Sequence, residues 1–181
     1  ELQTGLSICL IEGDDRAILT YSGSIQGISA SDIREEFFGQ TRHWHIASFY
    51  LLENLLPHWQ VLCRNMKRAG LTISLDTNWD PHKRWDSVRE LLPFVDIFLP
   101  NEEEAREIAG VKDTIEAGKI LASKGPLVVI KRGKFGAVAI QEGQIQESLP
   151  YTSADIPIVD SVGAGDSFDA GFMRSWLLGH S

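Results

Sequence analysis

A mainly parallel β-sheet covered by helices on both faces, in one α/β domain, is the fold class this sequence predicts. Three observations lead there. Short strand-like apolar runs recur at 43–47, 71–75, 95–99 and 127–130, and segments with a helical repeat lie between them. That alternation favours a parallel sheet, because each return to the sheet in the same direction needs a crossover long enough to hold a helix. A chain of 181 residues, 43% hydrophobic and 23% charged, fills one well-buried domain and not two.

Taken in order, residues 6–11 and 16–21 are β-rich runs joined by Glu12, Gly13, Asp14 and Asp15, the pattern of a hairpin. Ser29 and Asp32 have capping-box spacing, so a short helix is expected from there through Phe38. In the strand at 43–47, His43 and His45 face one side; that suits ordinary strand histidines and also two ligands of a metal, although no third ligand is nearby in sequence. Leu55, Trp59, Leu62, Cys63 and Met66 follow a helical period, with Pro57 in the first turn and Gly70 at the stop. After the strand at 71–75, Asp76, Asn78 and the string WDPHKRW form a turn-rich loop at a strand's carboxyl end, where α/β sheets gather their ligands.

The strand at 95–99 delivers Pro100, Asn101 and three glutamates, and Asn101 with Glu104 makes a second capping box. Asp113 and Glu116 open a further helix that closes at Gly125 and Pro126. The apolar strand at 127–130 ends in Lys131, Arg132 and Gly133, by spacing alone a solvated charge pair. Residues 136–140 and 144–149 form another hairpin, and the Pro157–Ile158 segment then leads to a glycine-rich turn.

That turn holds the chemistry. Gly163 and Gly165 let the backbone bend tightly, and Phe168, Phe172 and Trp176 then repeat every four residues until Gly179. Amides at such a helix start attract an anion. Asp166 would repel phosphate unless its task is to take a proton while the amides of Gly163, Ala164 and Gly165 hold the transferred group. An ordinary loop into a buried helix, with Asp166 stabilising the first turn, explains the tetrapeptide equally well.

The longer string decides between them. DSVGAGDSFDAGFM, residues 160–173, resembles over its full length the second signature of the ribokinase-like (PfkB) carbohydrate kinases. The resemblance implies a three-layer α/β/α ribokinase-like fold, Asp166 as the base that activates an acceptor hydroxyl, and Gly163, Ala164 and Gly165 as the anion hole. Asp76 and Asn78 resemble the family's aspartate-x-asparagine loop, facing acceptor and phosphates, with Thr77 where proline is frequent. PNEEEA resembles its NxxE motif, which gives Asn101 to the nucleotide and Glu104 to magnesium through water, a role that can coexist with capping. Lys131 and Gly133 fall at nucleotide-contacting positions, and Asp160 at a site for a monovalent cation such as potassium. The hairpin that includes Tyr21, leading to Ser22 and Gly23, would reach toward substrate. By the same resemblance residues 1–181 are one kinase domain truncated at both ends. The acceptor-reading residues are then expected upstream of Glu1, and the isolated chain is expected to be inactive or nearly so.

The implied function is ATP-dependent phosphorylation of a sugar or polyol hydroxyl, with ATP and magnesium as cofactors and a homodimer as the assembly. A non-catalytic nucleotide- or sugar-binding module of the same fold is the alternative, and retention of Asp166 argues against it. A dinucleotide oxidoreductase lacks its GxGxxG after an early strand, and GxxxxGK[ST] is also absent. A net charge of −8 argues against nucleic acid as partner, no apolar run reaches membrane-spanning length, and Cys9 and Cys63 form no CxxC pair. A cytoplasmic protein is expected from these features.

Overall fold

In the computed structural model, residues 2–12, 15–80, 82–150 and 161–180 are described. Strands β1 (Leu6–Glu12) and β2 (Asp15–Tyr21) pair antiparallel as a separate two-stranded ribbon, the expected hairpin. The main sheet has six strands in chain order: β3 (His43–Ile46), β4 (Thr72–Leu75), β5 (Ile97–Phe98), β6 (Leu127–Lys131), β7 (Ala137–Gln141) and β8 (Gln144–Ser148). From β3 to β6 the pairing is parallel, and β7 and β8 run antiparallel.

Strand order explains where the helices lie. Parallel neighbours added in one direction through right-handed crossovers place every connecting helix on the same face. Accordingly α1 (Trp59–Arg68), α2 (Asp86–Leu91), α3 (Glu102–Ala109) and α4 (Thr114–Ala122) share one core with Ile46, Ile73, Leu75, Phe98, Val128 and Ile130. The opposite face holds α5 (Ala164–Leu177), whose Phe168, Phe172, Met173 and Trp176 pack on Ile97, Leu99 and Val129. Both faces are covered as expected, by four helices against one among the described residues. Because side chains alternate along a strand, His43, His45, Ser74, Asp76 and Lys131 share the face of α5.

Three local expectations differ from the structure. Residues 29–38 form 3₁₀ turns at Ala30–Asp32 and Glu35–Gln40 in place of a helix, although the Asp32 carboxylate does accept the Ser29 amide at 2.8 Å. The cap is present, but Ile33 leaves helical geometry at φ −89°, ψ 84° and stops propagation. Pro57 lies in a 3₁₀ turn, Glu53–His58, one step before α1. Helix α2 was not expected; its signal is Val88 with Leu91, both fully buried, behind Asp86 in the first turn.

Candidate active site

The carboxyl ends of β4, β5 and β6 converge on the start of α5. Asp76 follows β4 directly and extends its pairing, its amide donating to the Ile46 carbonyl at 2.9 Å. Lys131 closes β6, with its amide on the Pro100 carbonyl at 2.9 Å and a bridge to Asn101. From there the Lys131 ammonium donates to Asp76 Oδ2 at 2.9 Å and to Asp169 Oδ2 at 3.2 Å. It is a buried cluster of one ammonium and two carboxyls and not the solvated pair suggested by spacing, since only 15% of the Lys131 side chain is exposed. A Cβ placed on Gly165 would sit 3.8 Å from Lys131 Nζ, so the ammonium lies under the glycine turn itself.

Two carboxylates facing one ammonium cannot both ionise cheaply in a dry site. Burial and the neighbouring Asp76 push Asp169 up to about 8, so it keeps its proton at neutral pH. Burial works to raise Asp76 as well, but the hydrogen bond from Asp169 and the Lys131 charge outweigh it and hold Asp76 below the ordinary range. Lys131, which burial alone would discharge, is held cationic by the pair. A carboxyl raised on folding lends stability that is complete below the ordinary carboxylate range and is lost as pH climbs to about 8. Asp169→Asn keeps the shape and never ionises. Melting temperatures at pH 5 and pH 9 should therefore show the native protein losing ground to the variant at the higher pH; a constant offset would mean that Asp169 titrates normally.

Asn101 caps α3, its Oδ1 accepting the Glu104 amide at 2.9 Å while Glu104 Oε2 accepts the Asn101 amide at 2.9 Å. The capping reading is thus realised in full. Glu104 is only 4% exposed, and burial pushes its carboxyl above the usual range, with Asp76 adding to the rise and Lys131 opposing it. A hard oxygen in that state gains from a nearby divalent cation, and magnesium is commonly held by one or two carboxylates together with water and phosphate oxygens. Glu104 fits that role. Among the described residues no three histidine, cysteine or acidic side chains are grouped to hold a metal.

At the glycine turn, Gly163 adopts φ 77°, a left-handed conformation that a side chain would strain, and α5 begins at the next residue. Ser167 closes the first helical hydrogen bond onto the Gly163 carbonyl at 2.9 Å. The Ala164 amide donates to the Ser161 carbonyl at 3.2 Å, so an incoming anion would have to displace that long contact. Asp166 is exposed on the first turn. Asp160 and the Pro157–Ile158 lead-in fall outside the described residues.

Beyond Asp76 the loop is built on a second buried carboxylate. Asp80, fully buried, accepts the Arg84 amide at 2.7 Å, Arg84 Nε at 2.9 Å and the His82 amide at 3.1 Å. Arg84 holds it below the ordinary range against the effect of burial. This clamp leaves Asn78 exposed in a left-handed conformation, φ 60°, which asparagine tolerates better than most residues. Gly133, φ 53°, is exposed in the 3₁₀ turn after β6, with open space where a side chain would be.

The two strand histidines are tied to hydroxyls. His43 Nδ1 meets Thr72 Oγ1, and His43 Nε2 and His45 Nδ1 both meet Ser74 Oγ, each at 2.8 Å. Burial lowers the pKa of both. They flank a cleft of about 390 Å³ beside α5, shared with Arg42 and Arg174.

With this geometry in hand, comparison with known proteins is decisive: the model of the pfkB family carbohydrate kinases matches residues 1–181. The chain belongs to the pfkB family. One relative, cytidine kinase of Thermococcus kodakarensis, is 36% identical over 123 residues, covering 65% of this chain and 43% of the relative. Among solved structures, a PfkB protein from Polaromonas sp. JS666 superposes with a TM-score of 0.82 at 25% identity, covering 99% of this chain and 62% of its own. A ribokinase II described as putative, from E. coli and in complex with ATP and magnesium, superposes at 0.81 with 22% identity, covering 97% and 59%. The chain spans about half the length of the curated relatives it matches. The ribokinase-like α/β architecture expected from the pfkB signature is therefore the one observed.

Of the residues singled out by sequence, Asp76, Lys131, Asn101 and Glu104 lie at adjoining strand ends, with Gly165 above Lys131. Asp169 was overlooked. Its signal lies within the signature: a carboxylate next to Phe168 and three residues before Phe172, on the half of α5 that packs against the sheet, demands a buried cation.

Proposed function

We propose that these residues carry out ATP-dependent phosphoryl transfer to a hydroxyl of a sugar or related polyol. The carrying observation is the exposed Asp166 on the first turn of α5, three residues after the left-handed Gly163 and next to Gly165, which lies against Lys131 at the end of β6. Phosphoryl transfer needs positioning and charge stabilisation more than covalent help. In this reading Asp166 accepts the proton of the attacking hydroxyl, and the amides of Gly163, Ala164 and Gly165, backed by the helix dipole, hold the transferred group. Asp76 and Asn78 face the acceptor, whereas Asn101 and Gly133 border the nucleotide. Magnesium, when bound near Glu104, supplies positive charge for the nucleotide phosphates; Asp160 is the candidate for a monovalent cation. The relatives include kinases named for cytidine, adenosine, fructose and 2-dehydro-3-deoxy sugar acids, which supports a small polyhydroxy acceptor without choosing among them.

The role of Glu104 separates from its capping by magnesium titration. Glu104→Gln keeps an oxygen for the Asn101 amide, so its stability loss should stay within the roughly 0.5 to 2 kcal/mol of a helix cap. The magnesium concentration for half-maximal rate should rise several-fold. A variant that melts lower while its magnesium curve overlays the native one would reduce Glu104 to a cap.

A further inference from the structure

We propose that Lys131 and Asp169 are positioning residues: their contact fixes the first turn of α5, and with it Asp166 and the glycine amides, against the ends of β4 and β6. The apolar anchors of α5 leave this turn thinly held. Phe172, Met173 and Trp176 lie in its second half, and only Phe168 reaches back toward the start. At the start itself, Gly163 and Gly165 have no side chains to pack, Ala164 and Asp166 are exposed, and Gly165 is open to Lys131 alone. Among the described residues, a polar tie across to the sheet is the Lys131 ammonium, which reaches from β6 to Asp169 at 3.2 Å and simultaneously to Asp76 at 2.9 Å. Three elements that must agree in position thus meet on one nitrogen. Asp169 is 2% exposed, and both groups it meets, the Lys131 ammonium and the Asp76 carboxylate, belong to the strand ends under the turn. Asp169 stands three residues after Asp166, one helical turn away, so moving one carries the other.

Why the position of Asp166 matters rests on the proposed transfer chemistry, but the test does not. Hydrogen exchange is followed residue by residue in the native protein, Asp169→Ala and Asp169→Asn. Alanine removes the tie, leaves the Lys131–Asp76 pair intact and adds no bulk in a helix; asparagine keeps an oxygen for the ammonium. A hydrogen bond to a charged group is strong enough that its loss should speed exchange at Ser167 and the next few amides by about tenfold or more. Exchange near Trp176 and Leu177 should hardly change, and asparagine should restore most of the protection. Native-like exchange at Ser167 in Asp169→Ala, or equal acceleration along all of α5, would overturn the proposal. Turnover measured alongside should show a lower kcat at an unchanged KM for ATP. If exchange responds as expected but the complete protein transfers no phosphoryl group, the positioning stands and the kinase reading fails.

Discussion

Asp166→Asn, made in the complete protein, is expected to lower turnover by about 100- to 10,000-fold, the range for loss of a general base, while leaving ATP affinity nearly unchanged. The side chain is exposed at the start of α5, so the substitution leaves no buried group unsatisfied. What it removes structurally is a negative charge near a helix N-terminus, worth about 0.3 to 1 kcal/mol. A large kinetic loss at nearly constant stability therefore has to come from chemistry. Steady-state kinetics with calorimetric ATP binding check it; a variant within a few-fold of the native rate would remove Asp166 from the mechanism.

Lys131→Met should cost about 3 to 5 kcal/mol of folding stability, because it strands a buried carboxylate without its cation. Asp76 is 8% exposed, and Lys131 supplies the only ion pair it makes among the described residues. The adjacent Arg132 provides the contrast. Its ion pair with Glu147, 61% exposed, at 3.2 Å is of the exposed kind that contributes about 0 to 1 kcal/mol, and its contact with the half-buried Glu102 is longer, at 3.5 Å. Urea denaturation of Lys131→Met beside Arg132→Met measures both. Equal, small losses would mean that Lys131 is solvated after all.

The sequence carried the layer architecture because the features that mark it are local: period-two apolar runs, helical repeats and caps at Asn101 and Asp113. It did not carry the strand order, which places α1 to α4 on one face and isolates α5 on the other, since that depends on pairing between distant segments. Helix α2 escaped notice because its six residues are too few to show a repeat. In the site, Asp166 and the glycines were legible from one contiguous string. Lys131 was legible as the residue that closes a strand, but its burial between two carboxyls was not. Its shared parity with Val129 put it on the face of α5, yet the carboxylates it meets come from β4 and from a helix 38 residues later. Asp169 draws no attention in the string alone; the packing of Phe168 and Phe172 shows that its side of α5 is inside.

The most direct measurement is acceptor-dependent ADP formation by the complete protein, followed by coupled detection across fructose, ribose, a 2-dehydro-3-deoxy sugar acid, cytidine and adenosine, with Asp166→Asn beside the native chain. Transfer chemistry at the α5 turn predicts magnesium-dependent ADP release that at least one acceptor raises well above the acceptor-free rate, and that the variant loses. Calorimetric ATP binding with no acceptor-dependent ADP, or with ADP formation equal in the native protein and the variant, would contradict it and leave a nucleotide-binding module on a kinase fold.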